Sequence, residues 1–105
     1  MLVVTDPLGN AVRLDRSTIH GHIYRRHPEL RGKQSAIAEA IRDPDLIARS
    51  KKDGQSLLYF RRANELLLLM AVVSPEKEQY TLRTSFYVLN TAKGDPIIWQ
   101  KKIST

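Results

Sequence analysis

The chain opens on two short extended runs, Leu2–Thr5 and Ala11–Leu14, separated by Asp6-Pro7-Leu8-Gly9-Asn10. Apolar runs joined through a proline and a Gly-Asn pair predict a β-hairpin. A helical period follows. Ser17 or Thr18 reads as an N-cap, and Ile19 and Ile23, four residues apart, predict a helix to about Arg26. Pro28 disfavours helical geometry at the residue before it, so His27 is expected at the frayed end. Ile37, Ala38 and Ile41 predict a second helix from about Lys33 to Arg42, stopped by Asp43-Pro44-Asp45.

Beyond this point the pattern becomes that of strands. Leu46–Ala48 and Leu57–Arg61 flank the turn-rich Lys51-Lys52-Asp53-Gly54-Gln55. Leu66–Val73 is an uninterrupted apolar run of the kind found in a central strand. Ser74-Pro75-Glu76-Lys77 is a turn, Tyr80–Leu89 alternates in part, and Ile97–Lys101 reads as an edge strand. The expected class is α+β: an N-terminal hairpin and two helices packed on a four- to five-stranded antiparallel sheet. In Tyr80–Leu89, alternation puts Leu82, Thr84, Phe86 and Val88 on one face and Arg83, Ser85 and Tyr87 on the other, unless a bulge intervenes.

A chain of 105 residues supports one domain with a modest core, and the absence of cysteine excludes disulfides and thiolate metal sites. Met1–Val4 is apolar but is interrupted at once by Asp6 and Pro7, which is not a secretory pattern. Leu66–Val73 is too short to span a membrane, so a cytoplasmic setting is expected. The net charge of +6 and pI near 9.9 predispose the protein to polyanions. Scattered solvated charge gives the same totals, so what matters is whether the basic residues converge with other chemistry.

That chemistry sits in one segment. All 3 histidines fall in His20-Gly21-His22-Ile23-Tyr24-Arg25-Arg26-His27. At about 100° per residue in a regular helix, His20, Tyr24 and His27 flank the isoleucine face, while His22 and Arg25 point away. A metal site is disfavoured: residues at i and i+2 diverge by about 160° on a helix, and no acidic residue stands four positions from any histidine. Neither a metal nor a cofactor is expected. The plainer reading has one imidazole capping the helix C-terminus and the others in solvent. The sharper one is general acid–base chemistry on a phosphate. Histidine titrates near neutrality, RNA carries its own nucleophile in the 2′-OH, and Arg25 and Arg26 suit phosphoryl oxygens.

The run His22-Ile23-Tyr24-Arg25-Arg26-His27-Pro28-Glu29-Leu30 resembles the H-I-x-x-R-H-P-E segment of the phage-associated barnase–EndoU–colicin–RelE-like nucleases. The later order is similar: Asp43-Pro44-Asp45, a tyrosine-bearing strand at Leu58-Tyr59-Phe60, an apolar strand, then Leu82-Arg83-Thr84-Ser85-Phe86-Tyr87. The resemblance covers residues 18–91, and its most specific part is R-H-P-E with D-P-D about sixteen residues later. It implies metal-independent RNA cleavage, often by a toxin or phage-linked effector. It carries His22, Arg26 and His27 over as the helix positions, Tyr59 as the strand tyrosine, and Thr84 with Ser85 as the polar end of the late strand. The resemblance selects His22, whereas helical directions pair His27 with His20. A bend near Gly21 would reconcile the two, because glycine weakens a helix interior.

Each strand residue also has a plainer reading. Tyr59 suits half-buried packing. Thr84 and Ser85 need no function in a β-favouring run, and strict alternation favours Arg83 and Ser85 over Thr84 as site residues. Arg61 and Arg83 suit either phosphate contacts or solvated edges. The expectation is therefore a metal-independent endoribonuclease whose catalytic set is drawn from His27, His22, Arg26, Tyr59, Thr84 and Ser85. His20, Arg25, Arg61 and Arg83 are the expected RNA contacts. Its expected partners are RNA and an acidic antitoxin or immunity protein, with no membrane. The rivals are a non-catalytic RNA-binding module and a basic protein-interaction domain. A bell-shaped pH–rate profile separates the first of these from an enzyme. Tight binding to an acidic protein without RNA affinity would mark the second.

Overall fold

A computed structural model describes residues 2–102, and its frame is one seven-stranded sheet. The hairpin forms where the pattern puts it, as β1 (Leu2–Thr5) and β2 (Ala11–Leu14). Its turn is closed by the Asp6 carboxylate, which accepts from the backbone N–H groups of Leu8 and Asn10 at 2.9 and 2.8 Å and from Asn10 Nδ2 at 3.0 Å. Gly9 sits at φ 88°, a left-handed geometry that glycine adopts without a Cβ penalty.

β3 (Leu46–Ser50), β4 (Leu57–Arg62), β5 (Leu68–Glu76) and β6 (Gln79–Val88) form an antiparallel meander. β7 (Gly94–Gln100) returns across the sheet to pair antiparallel with β3. The hairpin does not stand apart. β2 lies parallel to β6 through Val12↔Tyr80 and Arg13↔Thr81, giving the order β1-β2-β6-β5-β4-β3-β7. This overturns the expected class of two helices on a four- to five-stranded antiparallel sheet: the sheet has seven strands and is mixed. An isolated hairpin leaves two unpaired edges and is marginally stable, and docking on β6 satisfies one of those edges.

Helical structure is short and broken. It runs through α1 (Arg16–Thr18), a π-helical turn at Ile19–Ile23, α2 (Tyr24–Arg26), a 3₁₀ turn at Pro28–Leu30 and α3 (Gln34–Arg42). The N-cap is Asp15, not Ser17 or Thr18, and its side chain makes no capping hydrogen bond. What holds the segment is Ile19 and Ile23, both fully buried. Burial of such a side chain contributes about 1.5–3 kcal/mol, more than a typical cap. Pro28 acts as expected, and His27 leaves the helix at φ −132°, ψ 72°. Among the described residues no helix is long and apolar enough to cross a membrane.

The sheet has two unlike faces. On one, Ile19, Ile23, Ile37 and Ile41 pack against Tyr59, Leu69, Ala71 and Leu82. On the other, Ala48, Leu58, Phe60, Leu68 and Met70 cluster with Val72, Phe86 and Val88, and every member is a strand residue. Among the described residues no helical residue belongs to this second cluster.

A bulge in β6 decides what the open face presents. Val72 lies opposite Thr84 but Val73 lies opposite Leu82, so Arg83 is the extra residue. The alternation restarts there. Leu82 and Ser85 point to the helix-covered face, while Thr84, Phe86 and Val88 point to the open one.

Candidate nucleic-acid interface

β2 accompanies β6 only at Tyr80 and Thr81, and residues 19–23 also pack against β6. This puts the histidine segment along that strand. The turn at Ile19–Ile23, with Gly21 at its centre, is the bend that the sequence allows: its i→i+5 bonds spread an extra residue over one turn. Directions calculated at a fixed 100° per residue therefore fail past His20. His20 does meet Tyr24, edge to face, with ring centroids 5.0 Å apart, but His27 is not with them. His27 stacks instead on Phe86, at 5.0 Å between centroids and an interplanar angle of 23°. Its Nδ1 also lies 3.9 Å from Glu29 Oε2.

His22 faces β6 as well. With Thr18, Arg83 and Thr84 it lines a cavity of about 400 Å³, whose far wall holds Asp15 and Glu76. Arg13 offsets that acidic wall, with Nε 3.4 Å from Asp15 Oδ2 and Nη2 3.6 Å from Glu76 Oε1. Thr84 and Phe86 share the open face two residues apart, a step of about 6.6 Å along a strand. His22 thus shares a cavity with Thr84 and His27 stacks on Phe86, the next position of that face.

Two further depressions continue this line. His22 also lines one formed with Gly21, Arg25 and Arg26. Thr84 also lines one of about 490 Å³ that lies over Leu58, Met70, Val72 and Phe86 and is rimmed by Ser50, Lys51, Lys52 and Lys93. The resulting track runs from Arg25 and Arg26 through His22, Arg83 and Thr84 to three lysines. His20, exposed and turned onto Tyr24, lines none of these depressions; nor does His27, which adjoins the second only through Phe86, the ring it stacks on.

Three expected site residues are elsewhere. Tyr59 is fully buried on the helix-covered face, where its hydroxyl donates to Asp6 Oδ2 at 2.6 Å. Burial, then the adjoining Asp6 carboxylate, pushes its phenol far above the ordinary range, which keeps it neutral and out of proton transfer. Ser85 is also fully buried, and its hydroxyl donates to the Met70 carbonyl at 2.7 Å. Arg61 Nη1 donates to the Asp43 carbonyl and, at 3.1 Å, to Asp43 Oδ2, tying the end of α3 to β4. Lys101, the larger influence, and Arg61 together hold the Asp43 carboxyl below its usual range. The bulge is the physical reason for the exchange of Ser85 for Thr84. Among the described residues, no three His, Asp or Glu side chains gather as metal ligands.

The sequence reading missed Phe86, Lys93, Glu76 and the Lys51–Lys52 rim as site residues. The lysines were visible as charge, but their convergence depends on β7 folding back beside β3. There Lys51 N–H donates to the Lys93 carbonyl at 3.0 Å. No protein-family model, curated protein or solved structure matches the chain. The likeness to the nuclease family therefore rests on the quoted residues alone.

Proposed function

We propose that the protein binds RNA along this track and cleaves it without a metal, as a toxin-like or phage-effector-like endoribonuclease acting in the cytoplasm. One observation carries the reading: the bulge at Arg83 turns Thr84 onto the open face, where it lines one cavity with His22, with His27 on Phe86 at the next position of that face. One imidazole takes the proton of the 2′-OH as it attacks phosphorus, and the other protonates the departing 5′-oxygen. The P–O5′ bond breaks, leaving a 2′,3′-cyclic phosphate and a 5′-hydroxyl. Arg83, with Thr84 beside it, stabilises the charge on the phosphoryl oxygens. Arg25 and Arg26 hold neighbouring phosphates through their guanidinium forks. An acidic antitoxin or immunity protein would cover the same basic track.

The test is incubation of the protein with total RNA in EDTA, beside His22→Ala and His27→Ala. The expected result is fragments ending in 2′,3′-cyclic phosphate, with cleavage about 10²–10⁴-fold slower in each variant. RNA bound but left intact by all three proteins would point to a non-catalytic RNA-binding module. RNA neither bound nor broken at moderate salt would leave a basic protein-interaction domain.

A further inference from the structure

The depression over Met70 differs in chemistry from the histidine cavity. Its floor is apolar, made by Leu58, Met70, Val72 and Phe86, and no acidic residue lines it. Its rim is three ammonium groups, none in an ion pair among the described residues. A solvated basic patch needs no apolar floor, and an apolar docking surface gains nothing from three lysines. An unpaired nucleobase with its flanking phosphates uses both: the base takes the floor and the phosphates take the rim.

The backbone that carries the rim is fixed from several sides. Lys51 N–H donates to the Lys93 carbonyl, and Lys52 N–H to Ser50 Oγ at 3.2 Å. The Asp53 carboxylate accepts from Ser56 N–H at 2.8 Å, Ser56 Oγ at 2.7 Å and Gln55 N–H at 2.9 Å, closing the loop below the lysines. Next to Lys93, Gly94 lets β7 close on the floor: a Cβ there would lie 2.6 Å from Ala48 Cβ and 3.5 Å from Leu58 Cδ1. Lys93 Nζ stands 5.3 Å from the centroid of Phe86, the ring on which His27 stacks. The pocket is thereby joined to the proposed cleavage site through a shared side chain and through Thr84.

We infer that this pocket is a base-binding subsite that selects single-stranded RNA, seating one unpaired base a short distance along the strand from the phosphate at His22. The inference rests on the RNA reading above and adds to it the form of the substrate. A base held inside a duplex cannot reach a concave floor, so duplex RNA is excluded from the subsite.

The test uses the wild-type protein and fully 2′-O-methylated hexanucleotides, which bind but lack the attacking hydroxyl. An abasic residue is walked through the six positions. One position is expected to lose about tenfold in affinity while the others change little, and a duplex of the same sequence should bind at least tenfold more weakly. Lys51→Ala, Lys52→Ala and Lys93→Ala, all at exposed positions, should each lower the salt slope of binding by about 0.7. A flat abasic walk, or equal affinity for duplex and single strand, overturns the subsite. Cleavage of the corresponding 2′-OH oligonucleotide is measured in parallel. Cleavage with a flat walk removes the subsite and leaves the nuclease reading. A single sensitive position without cleavage removes the nuclease and leaves a single-strand binding module.

Discussion

Tyr59 donates its phenolic hydrogen to Asp6 Oδ2 at 2.6 Å, joining β4 to the turn of the N-terminal hairpin across 53 residues of sequence. Asp6 is itself buried and already accepts from Leu8 and Asn10, so the phenol completes a network that pins the hairpin to the sheet. Removing the hydroxyl leaves the carboxylate one donor short in a water-poor site. Tyr59→Phe is therefore expected to cost about 1–3 kcal/mol of folding stability, read as a lower urea midpoint at constant slope. RNA cleavage by the folded variant should stay at the wild-type rate. A loss of cleavage with stability unchanged would return Tyr59 to the catalytic set.

The same pair predicts an alkaline limit. The Tyr59 phenol is raised by burial first and by Asp6 second, whereas in the unfolded chain it ionises near pH 10. Above that pH the unfolded state loses its proton before the folded state does. The stabilisation is thus complete below pH 10 and falls as pH rises beyond it. In a titration followed at 295 nm, the Tyr59 phenol should remain protonated until the protein unfolds. Four tyrosines ionising together before any loss of structure would disprove the buried hydrogen bond.

Much of this architecture was legible in the residues, and what was not has a physical cause. The hairpin at Leu2–Leu14, α3 and the core of each strand follow from local period and turn chemistry. The pairing of β2 with β6 rests on two register pairs whose partners lie 68 positions apart, and a contact of that range leaves no local pattern. The extra residue at Arg83 was likewise silent, because Leu82-Arg83-Thr84-Ser85 reads as plain alternation unless the position of Val72 and Val73 opposite is known. That one residue exchanges Ser85 for Thr84 on the open face. His27 was readable from Pro28, since the proline forces it off the helix, but its resting place on Phe86 required the tertiary fold.

At acid pH the sensitive link is Asp43. Its carboxylate is 3.1 Å from Lys101 Nζ through Oδ1 and 3.1 Å from Arg61 Nη1 through Oδ2, and these cations, Lys101 first, lower its pKa. A depressed carboxylate contributes stability above its unfolded pKa and loses it as pH falls through the folded value. Asp43→Asn should remove that increment at neutral pH and make the stability profile below pH 4 less steep, leaving the part due to Asp53, whose carboxyl is lowered by its hydrogen bonds from Ser56 and Gln55. Because the pair is solvent-exposed, 1 M salt should bring wild type and variant together. A difference unaffected by salt would show that the Arg61 hydrogen bonds, rather than charge, carry the effect.

The bulge offers the sharpest separation of fold from function. Leu82 points to the helix-covered face and Thr84 to the open one, so deleting Arg83 makes them neighbours with the alternation that a regular strand requires. The deletion should leave a cooperatively folded protein with both cores intact. Deleting Thr84 restores the same alternation with Arg83 in its place opposite Val72, so that variant should also fold with both cores intact, but without the hydroxyl. Arg83→Ala keeps the bulge and loses only the cation, with stability changed by about 0.5 kcal/mol or less and cleavage reduced by about 10²-fold. The Arg83 deletion should lose more than Arg83→Ala, because straightening β6 also re-aims Thr84 within the cavity it shares with His22. Circular dichroism and urea melts of the Arg83 and Thr84 deletions, beside cleavage rates for the two Arg83 variants, test this. If deleting Arg83 unfolds the protein, the bulge belongs to the fold and was not set there to aim the site.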